Sequence, residues 1–359
     1  MACVCASAAG YAWAADSPST STFSTVSTPA HEVHKLSLFV LTITGAIFFT
    51  MSGLLIYALV KFRARGADKS EPPQVFGSMQ IEFAWTIIPI LIIIVLFLGT
   101  ARVLFSIQDA PKPASALDVT VVGHQFWWEF RYPQYNVVTA NELHVPLSSG
   151  KNQRPTFMKL TSADVMHSFW VPQLAGKTDL LPNRVNEMWI DPQVAGMYVG
   201  QCAQFCGAEH AKMLLRVYVD TPEQFNAWIA EQQKAQAEIP SGLAGSAPQM
   251  AASAIPVAGK GTRDASAITA LNGQLVFEQQ ACINCHTVSG TVADGRFGPD
   301  LTHLMSRDTI ASGAAPNTPE NLRMWIQNPD EIKPGSLMPA MKVDDRDLNA
   351  LTAYLETLQ

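Results

Sequence analysis

Two groups of residues in this chain have types and spacings suited to redox metal chemistry. The first is Cys202-Ala-Gln-Phe-Cys206-Gly-Ala-Glu-His210-Ala-Lys-Met213, with His167 upstream in Asp164-Val-Met-His-Ser-Phe-Trp. Two thiols, two imidazoles and a thioether make a soft, nitrogen-rich donor set. Zinc accepts Cys and His but has little use for Met, so the set favours copper. A single blue-copper centre needs one Cys, two His and a weak Met; the second Cys here can bridge two copper ions through both sulfurs. Such a core shares one electron across both metals, so little rearranges on transfer. The competing reading is a Cys202–Cys206 disulfide with His210 and Met213 packed nearby.

The second group is Cys282-Ile-Asn-Cys285-His286. This is the CxxCH pattern in which both thiols add to haem vinyl groups and the adjacent imidazole ligates iron. Zinc binding and a redox dithiol compete, but no second Cys pair remains to complete a zinc site.

Something must hold these groups, and the chain of 359 residues is long enough for several folded units. It is 48% hydrophobic and only 15% charged, a balance explained by two uncharged apolar runs, 36–60 and 83–101, each long enough to span a bilayer. Pro89 inside the second is tolerable in a membrane helix. The loop between the runs carries Lys61, Arg63, Arg65 and Lys69 against Asp68 and Glu71, which places it in the cytoplasm. Both termini and both metal-binding groups then lie outside. The net charge of −6 speaks against nucleic acid and fits basic protein partners, although net charge discriminates poorly. Cys3 and Cys5 stand in a small-residue start, of which a truncated export signal is one reading.

From Leu117 the pattern turns to short β-branched and aromatic runs, Val119 to Val122, Phe126 to Tyr132 and Met213 to Val219, and predicts an all-β sandwich or barrel. Residues 231–268, rich in Ala, Ser, Pro and Gly, read as a linker. Helical spacing at Leu348, Leu351 and Leu355 closes a small helical domain. Glu209 reads as a surface charge, Met305 and Met324 as core residues.

With these residues quoted, the chain resembles cytochrome c oxidase subunit II of the haem-copper oxidase family, with a cytochrome c domain fused at its C-terminus. The first part of the resemblance covers roughly residues 31–230. It implies two N-terminal spans and a cupredoxin-like barrel holding a dinuclear copper centre, CuA. Carried over, Cys202 and Cys206 are the bridging thiolates, His167 and His210 the terminal imidazoles and Met213 the weak ligand; Gln204 supplies a backbone carbonyl. Many relatives have Glu at that position, which also helps bind magnesium at the interface with subunit I. A neutral amide is a poorer ligand for a hard cation, so the magnesium site is left open. The run Gly123-His-Gln-Phe126-Trp127-Trp128 resembles the segment where electrons enter from cytochrome c, with Phe126 where many relatives have Trp. Packing in the barrel competes as the role of these rings. Glu82, in Glu82-Phe-Ala-Trp85, resembles an acid near a proton-entry path. Gly273 and Phe277, Gly298-Pro299-Asp300 and Lys333-Pro-Gly-Ser-Leu-Met338-Pro339 resemble a class I cytochrome c, with Met338 as sixth iron ligand and Met341 as its nearest competitor.

The expected architecture is therefore multidomain: an exported tail over 1–35, a two-helix anchor over 36–104, a cupredoxin-like all-β barrel over 115–230, the linker, and an all-α cytochrome c domain over 269–359. The resemblance implies a relay from a covalent haem c to CuA and on to haem a in subunit I, which reduces O2 to water and pumps protons. A flexible tether would set the haem's encounter with CuA. Implied partners are subunit I with its haem a and copper B, subunit III, and a soluble or membrane-bound cytochrome or quinol:cytochrome reductase as donor. The implied location is the bacterial plasma membrane. A quinol-oxidising subunit II would lack the copper ligands, a nitrous oxide reductase would need a large second catalytic domain, and a copper-delivery protein would not explain the haem motif.

Overall fold

The computed structural model describes residues 20–63, 71, 74, 76–150, 153–234 and 265–359. The export-signal reading and most of the linker fall outside the described residues, as do Arg65, Asp68 and Lys69.

Two long helices come first, α1 (Thr28–Lys61) and α2 (Met79–Gln108). α2 has no buried residue and α1 only Pro29 and Ala30, so rows of Leu, Ile and Phe face outward. In water such surfaces would be a large unpartnered apolar patch; in lipid they are matched.

A β sandwich follows: β1 (Leu117–His124), β2 (Trp127–Tyr132), β3 (Val137–Ala140), β4 (Glu142–Pro146), β5 (Thr156–Ser162), β6 (His167–Trp170), β7 (Thr178–Leu180), β8 (Asn186–Ile190), β9 (Gly196–Cys202) and β10 (Leu214–Asp220). One sheet runs β3-β2-β1-β5-β8 and the other β4-β10-β9-β6-β7. β1 with β5 and β10 with β4 are parallel, and the remaining pairs are antiparallel. Alternation along β10, with Leu215, Val217 and Val219 buried, is the period-two pattern of a strand with one face on the core. Tyr132 joins the sheets: its hydroxyl donates to the His144 carbonyl and accepts from the His144 amide, both at 2.9 Å. Helix α3 (Pro222–Gln232) closes the domain behind a Thr221/Gln224 capping box.

The sandwich is tied to one end of the helix pair. Ser27 Oγ, Thr28 N and Thr28 Oγ1 all donate to the Asp191 carboxylate, at 2.9, 2.6 and 2.5 Å. A carboxylate there satisfies free amides and favours the helix dipole, which is why α1 starts ahead of its uncharged run. At the end of α2, Trp189 Nε1 donates to the Ile107 carbonyl at 2.7 Å. Lys61 at the end of α1 and Met79 at the start of α2 therefore lie at the opposite end from the sandwich.

The C-terminal unit is helical: α4 (Ala265–Gln279), α5 (Cys282–Cys285), α6 (Pro319–Gln327), α7 (Pro329–Ile332) and α8 (Asp345–Leu355). α4 crosses α8 at Gly273, where a Cβ would sit 1.9 Å from the Ala350 carbonyl oxygen; only glycine permits that approach. Phe277 and Tyr354 meet beside the crossing, centroids 5.7 Å apart. Met305 packs against this core, as expected. Met324 is 39% exposed, because it lies on the outer side of an amphipathic α6 whose buried stripe is Leu322 and Ile326.

Candidate metal and haem sites

β6, β9 and the loop between β9 and β10 bring the first donor group together. Cys202 Sγ lies 3.9 Å from His167 Nδ1 and 3.1 Å from the Gln204 carbonyl oxygen. Cys206 Sγ lies 3.8 Å from His210 Nδ1 and 3.9 Å from Met213 Sδ. The two sulfurs are 3.9 Å apart and both thiols are free, well beyond a disulfide's ~2.05 Å. Two sulfurs held apart, with one imidazole on each side, leave room for bridged metal ions. His167, Cys202 and Cys206 also converge as a buried donor cluster.

The support around these ligands is built into neighbouring strands. Asp164 Oδ1 holds His167 Nε2 at 2.8 Å, so the Nδ1 face is left to the sulfurs; orienting a ligand imidazole through its other nitrogen is the usual outer-shell device. Burial disfavours the charged form of His167, but its hydrogen bonds with Asp164 and Cys202 and their charges together outweigh it and raise the imidazole. The Cys206 thiol holds the Cys202 thiol well below its usual range by hydrogen bonding. Trp128 is fully buried, with its ring centroid 6.1 Å from that of His167 and 5.7 Å from that of Phe169. Its indole is therefore core packing beside the ligand.

The second group lines one apolar cavity with an empty volume, mouth included, of about 1370 Å³. Cys282, Cys285, His286, Met338 and Met341 all face it. His286 Nδ1 is held by the Pro299 carbonyl at 2.8 Å, leaving Nε2 for iron. Burial pushes this imidazole below its usual range, which suits the neutral form that metals bind. Arg307 is buried in the same wall and its Nε has no hydrogen-bond partner among the described residues. An orphaned guanidinium N–H in an apolar pocket fits an anionic group on a bound cofactor.

This cavity is not walled by the helical unit alone: Gln125, Phe126, Trp127 and Asn141 of the sandwich line it too. Gln125 Nε2 donates to the Cys206 carbonyl at 2.6 Å, so one residue touches both sites. The two units are fastened by buried polar groups. Glu142, 3% exposed, accepts from Asp308 N, Thr309 N and Thr309 Oγ1 at 3.1, 2.9 and 2.8 Å. Lys333 donates to the Phe126 carbonyl at 2.8 Å, and burial pushes its ammonium down to about 8. The tether picture is thereby replaced by a docked interface. Docking also buries Glu209, expected at the surface: Gly335 sits over its side chain, and one carboxylate oxygen has no partner among the described residues.

Three parts of the chain match family models. Residues 17–102 match the transmembrane domain of cytochrome C oxidase subunit II, residues 150–219 its periplasmic domain, and residues 270–359 cytochrome c. The chain is 32% identical over 329 residues to cytochrome c oxidase subunit 2 of Alkalihalophilus pseudofirmus, covering 90% of this chain and 85% of that one. The chain belongs to the cytochrome c oxidase subunit II family. The subunit 2 of Bacillus subtilis is 30% identical over 325 residues, with 85% and 82% covered. A crystal structure of the periplasmic domain of subunit II from Bradyrhizobium japonicum is 28% identical at a TM-score of 0.31, covering 34% of this chain and 95% of that one. As a subunit II, the chain is a membrane component of an oxidoreductase that has subunit I as partner. Its cupredoxin-like domain is periplasmic and of the copper-binding kind, and its helical domain is of the haem-binding kind.

Sequence reasoning picked out every candidate ligand but missed Asp164, Gln125, Glu142, Arg307 and Lys333. Asp164 alone had a local signal, standing three residues before His167. Glu82 lies in the first turn of α2, exposed, far along the chain from either cluster.

Proposed function

We propose that this chain is the electron-entry subunit of a respiratory haem-copper cytochrome c oxidase. It takes electrons at a covalent haem c, passes them to a dinuclear CuA centre and on to haem a of subunit I, where O2 is reduced to water with proton pumping. The observation that carries this reading is the shared wall, in which residues 125–127 line the haem cavity while Gln125 is bonded to Cys206.

In this reading Cys282 and Cys285 hold the haem, with His286 and Met338 on its iron; His167, Cys202, the Gln204 carbonyl, Cys206, His210 and Met213 hold copper. The bound groups supply one-electron chemistry. The chain's own residues supply position: Asp164 aims His167, Pro299 aims His286, and the sandwich core excludes water from the sulfurs. Donor groups already arranged in this way need little reorganisation. Phe126, 7% exposed, and Trp127 face the haem cavity, so electron entry is assigned to the chain's own haem domain, which covers the surface a separate cytochrome would use. An external cytochrome or a quinol:cytochrome reductase then delivers to the haem.

Both termini and both redox domains are assigned to the outer side of a bacterial plasma membrane, because the sandwich is tied to the start of α1 and the end of α2. Glu82 at the opposite end is assigned to proton entry, and subunit III is a further partner. Gln204 contributes only its main-chain oxygen, so no magnesium ion is assigned to it. The test is absorption and electron paramagnetic resonance of the purified chain. A mixed-valence two-copper signal beside a low-spin c haem is expected, and a single-copper spectrum would refute the CuA assignment.

A further inference from the structure

One charged side chain between the two sites has so far figured only as a fastening between the units. Lys333 is 3% exposed, and lysines are almost never so buried unless paired. Its two hydrogen-bond partners are both main-chain carbonyls: Phe126 of the sandwich at 2.8 Å and Ala311 of the helical unit at 3.3 Å. It lines the haem cavity, in the same loop as Met338. The loop is braced around it, with Ser336 N on the Lys333 carbonyl at 3.1 Å and Gly335 N on Asp330 Oδ1 at 2.8 Å.

The carbonyl that Lys333 holds belongs to the residue that touches the copper loop. The Phe126 ring lies so close to Gly207 that a Cβ there would meet it at 2.9 Å, and Gly207 follows Cys206. Gln125, the preceding residue, is bonded to Cys206. A cation at this point faces haem on one side and the copper loop on the other, in surroundings of low dielectric where a unit charge acts strongly. Its acid neighbours are not in contact with it.

We propose that Lys333 is a positioning residue for electron transfer between the two domains, pinning Phe126 in the shared wall and supplying a positive charge that favours the reduced form of both centres. A buried cation stabilises an added electron nearby, and a carbonyl already bonded to it has no need to reorganise when charge moves. Lys333 is hydrogen-bonded to none of the candidate ligands and acts through Phe126 and through its field. This inference rests on the relay reading above.

The test uses the intact oxidase and two variants, Lys333→Met, which keeps the apolar stem and removes the charge, and Glu142→Gln, which loosens the same interface and keeps the cation. Midpoint potentials of haem c and CuA are measured by spectroscopic redox titration, and docking by hydrogen exchange at residues 308–312. In Lys333→Met the reduced-to-oxidised ratio of at least one centre at a given potential should fall about tenfold, equivalent to about 59 mV for one electron, and in Glu142→Gln it should not. Unchanged midpoints in Lys333→Met would overturn the proposal, as would equal shifts in both variants, which would assign the effect to docking. Absence of the haem or two-copper signals from the wild-type oxidase would instead refute the relay reading itself.

Discussion

The side-chain amide of Gln125 donates to the main-chain oxygen of Cys206 at 2.6 Å, while Gln125 itself forms part of the haem cavity wall. A single side chain thus spans from one candidate cofactor site to the other. Gln125→Leu keeps the volume but leaves that carbonyl without its donor. The expected cost is about 1 kcal/mol, read by thermal unfolding, with an altered copper hyperfine pattern and an unchanged haem spectrum. A copper signal identical to wild type would mean that the bond does not shape the loop.

Glu142 carries three hydrogen bonds across the interface. In Glu142→Ala the amides of Asp308 and Thr309 lose their buried acceptor, and the expected cost to docking is on the order of 3 kcal/mol. Hydrogen exchange at Thr309 should accelerate by about a hundredfold, while exchange in the sandwich core, at Leu160 or Val217, stays slow. Acceleration throughout the sandwich would show that Glu142 supports the fold and not the junction.

Acid stability has a definite sign at Glu129. Burial pushes this carboxyl up, but hydrogen bonds from His124, at 3.0 Å, and from Arg131 outweigh it and hold it at about 2, against 4.5 unperturbed. The unfolded chain binds more protons between those values, so the contribution is complete above about 4.5 and is lost as pH falls through about 2. Glu129→Gln should therefore be less stable than wild type at neutral pH by about 2 kcal/mol, and the gap should close in acid. The check is near-ultraviolet circular dichroism of both proteins across that range; a gap that persists at pH 2 contradicts the ion network.

Met338 and Met341 both face the haem cavity. With Met338 as sixth ligand, Met338→Ala should lower the haem potential, since a thioether ligand raises it, and should abolish the low-spin spectrum. Met341→Ala should leave both unchanged. The reverse pattern would transfer the ligand role to Met341.

The two membrane helices, the sandwich and most candidate ligand positions were legible in the sequence, because they follow from short-range chemistry; Gln204 and Met338 were reached through the family resemblance. Uncharged runs in 36–60 and 83–101 need only length and composition, and CxxCH or the Cys202-to-Met213 loop carries its donors within a few residues. His167 was legible as a donor by type, but thirty-odd residues separate it from the loop, and only the pairing of β6 with β9, which brings Phe169 opposite Cys202, carries it to the site. Periodicity likewise showed a buried stripe on α6 without showing which side Met324 would take.

What the tertiary structure alone decided is how the halves meet. Glu142, Glu209 and Lys333 are ordinary surface residues by type, and nothing in their neighbours along the chain marks them as buried. Burial of a charge depends on which other unit covers it, and that is a property of docking between segments more than a hundred residues apart. The sequence by itself determined two sites that can carry electrons, since donor type and spacing are local. Only the packed structure placed Gln125 and Phe126 between them, because a shared wall exists only when both domains contribute to it.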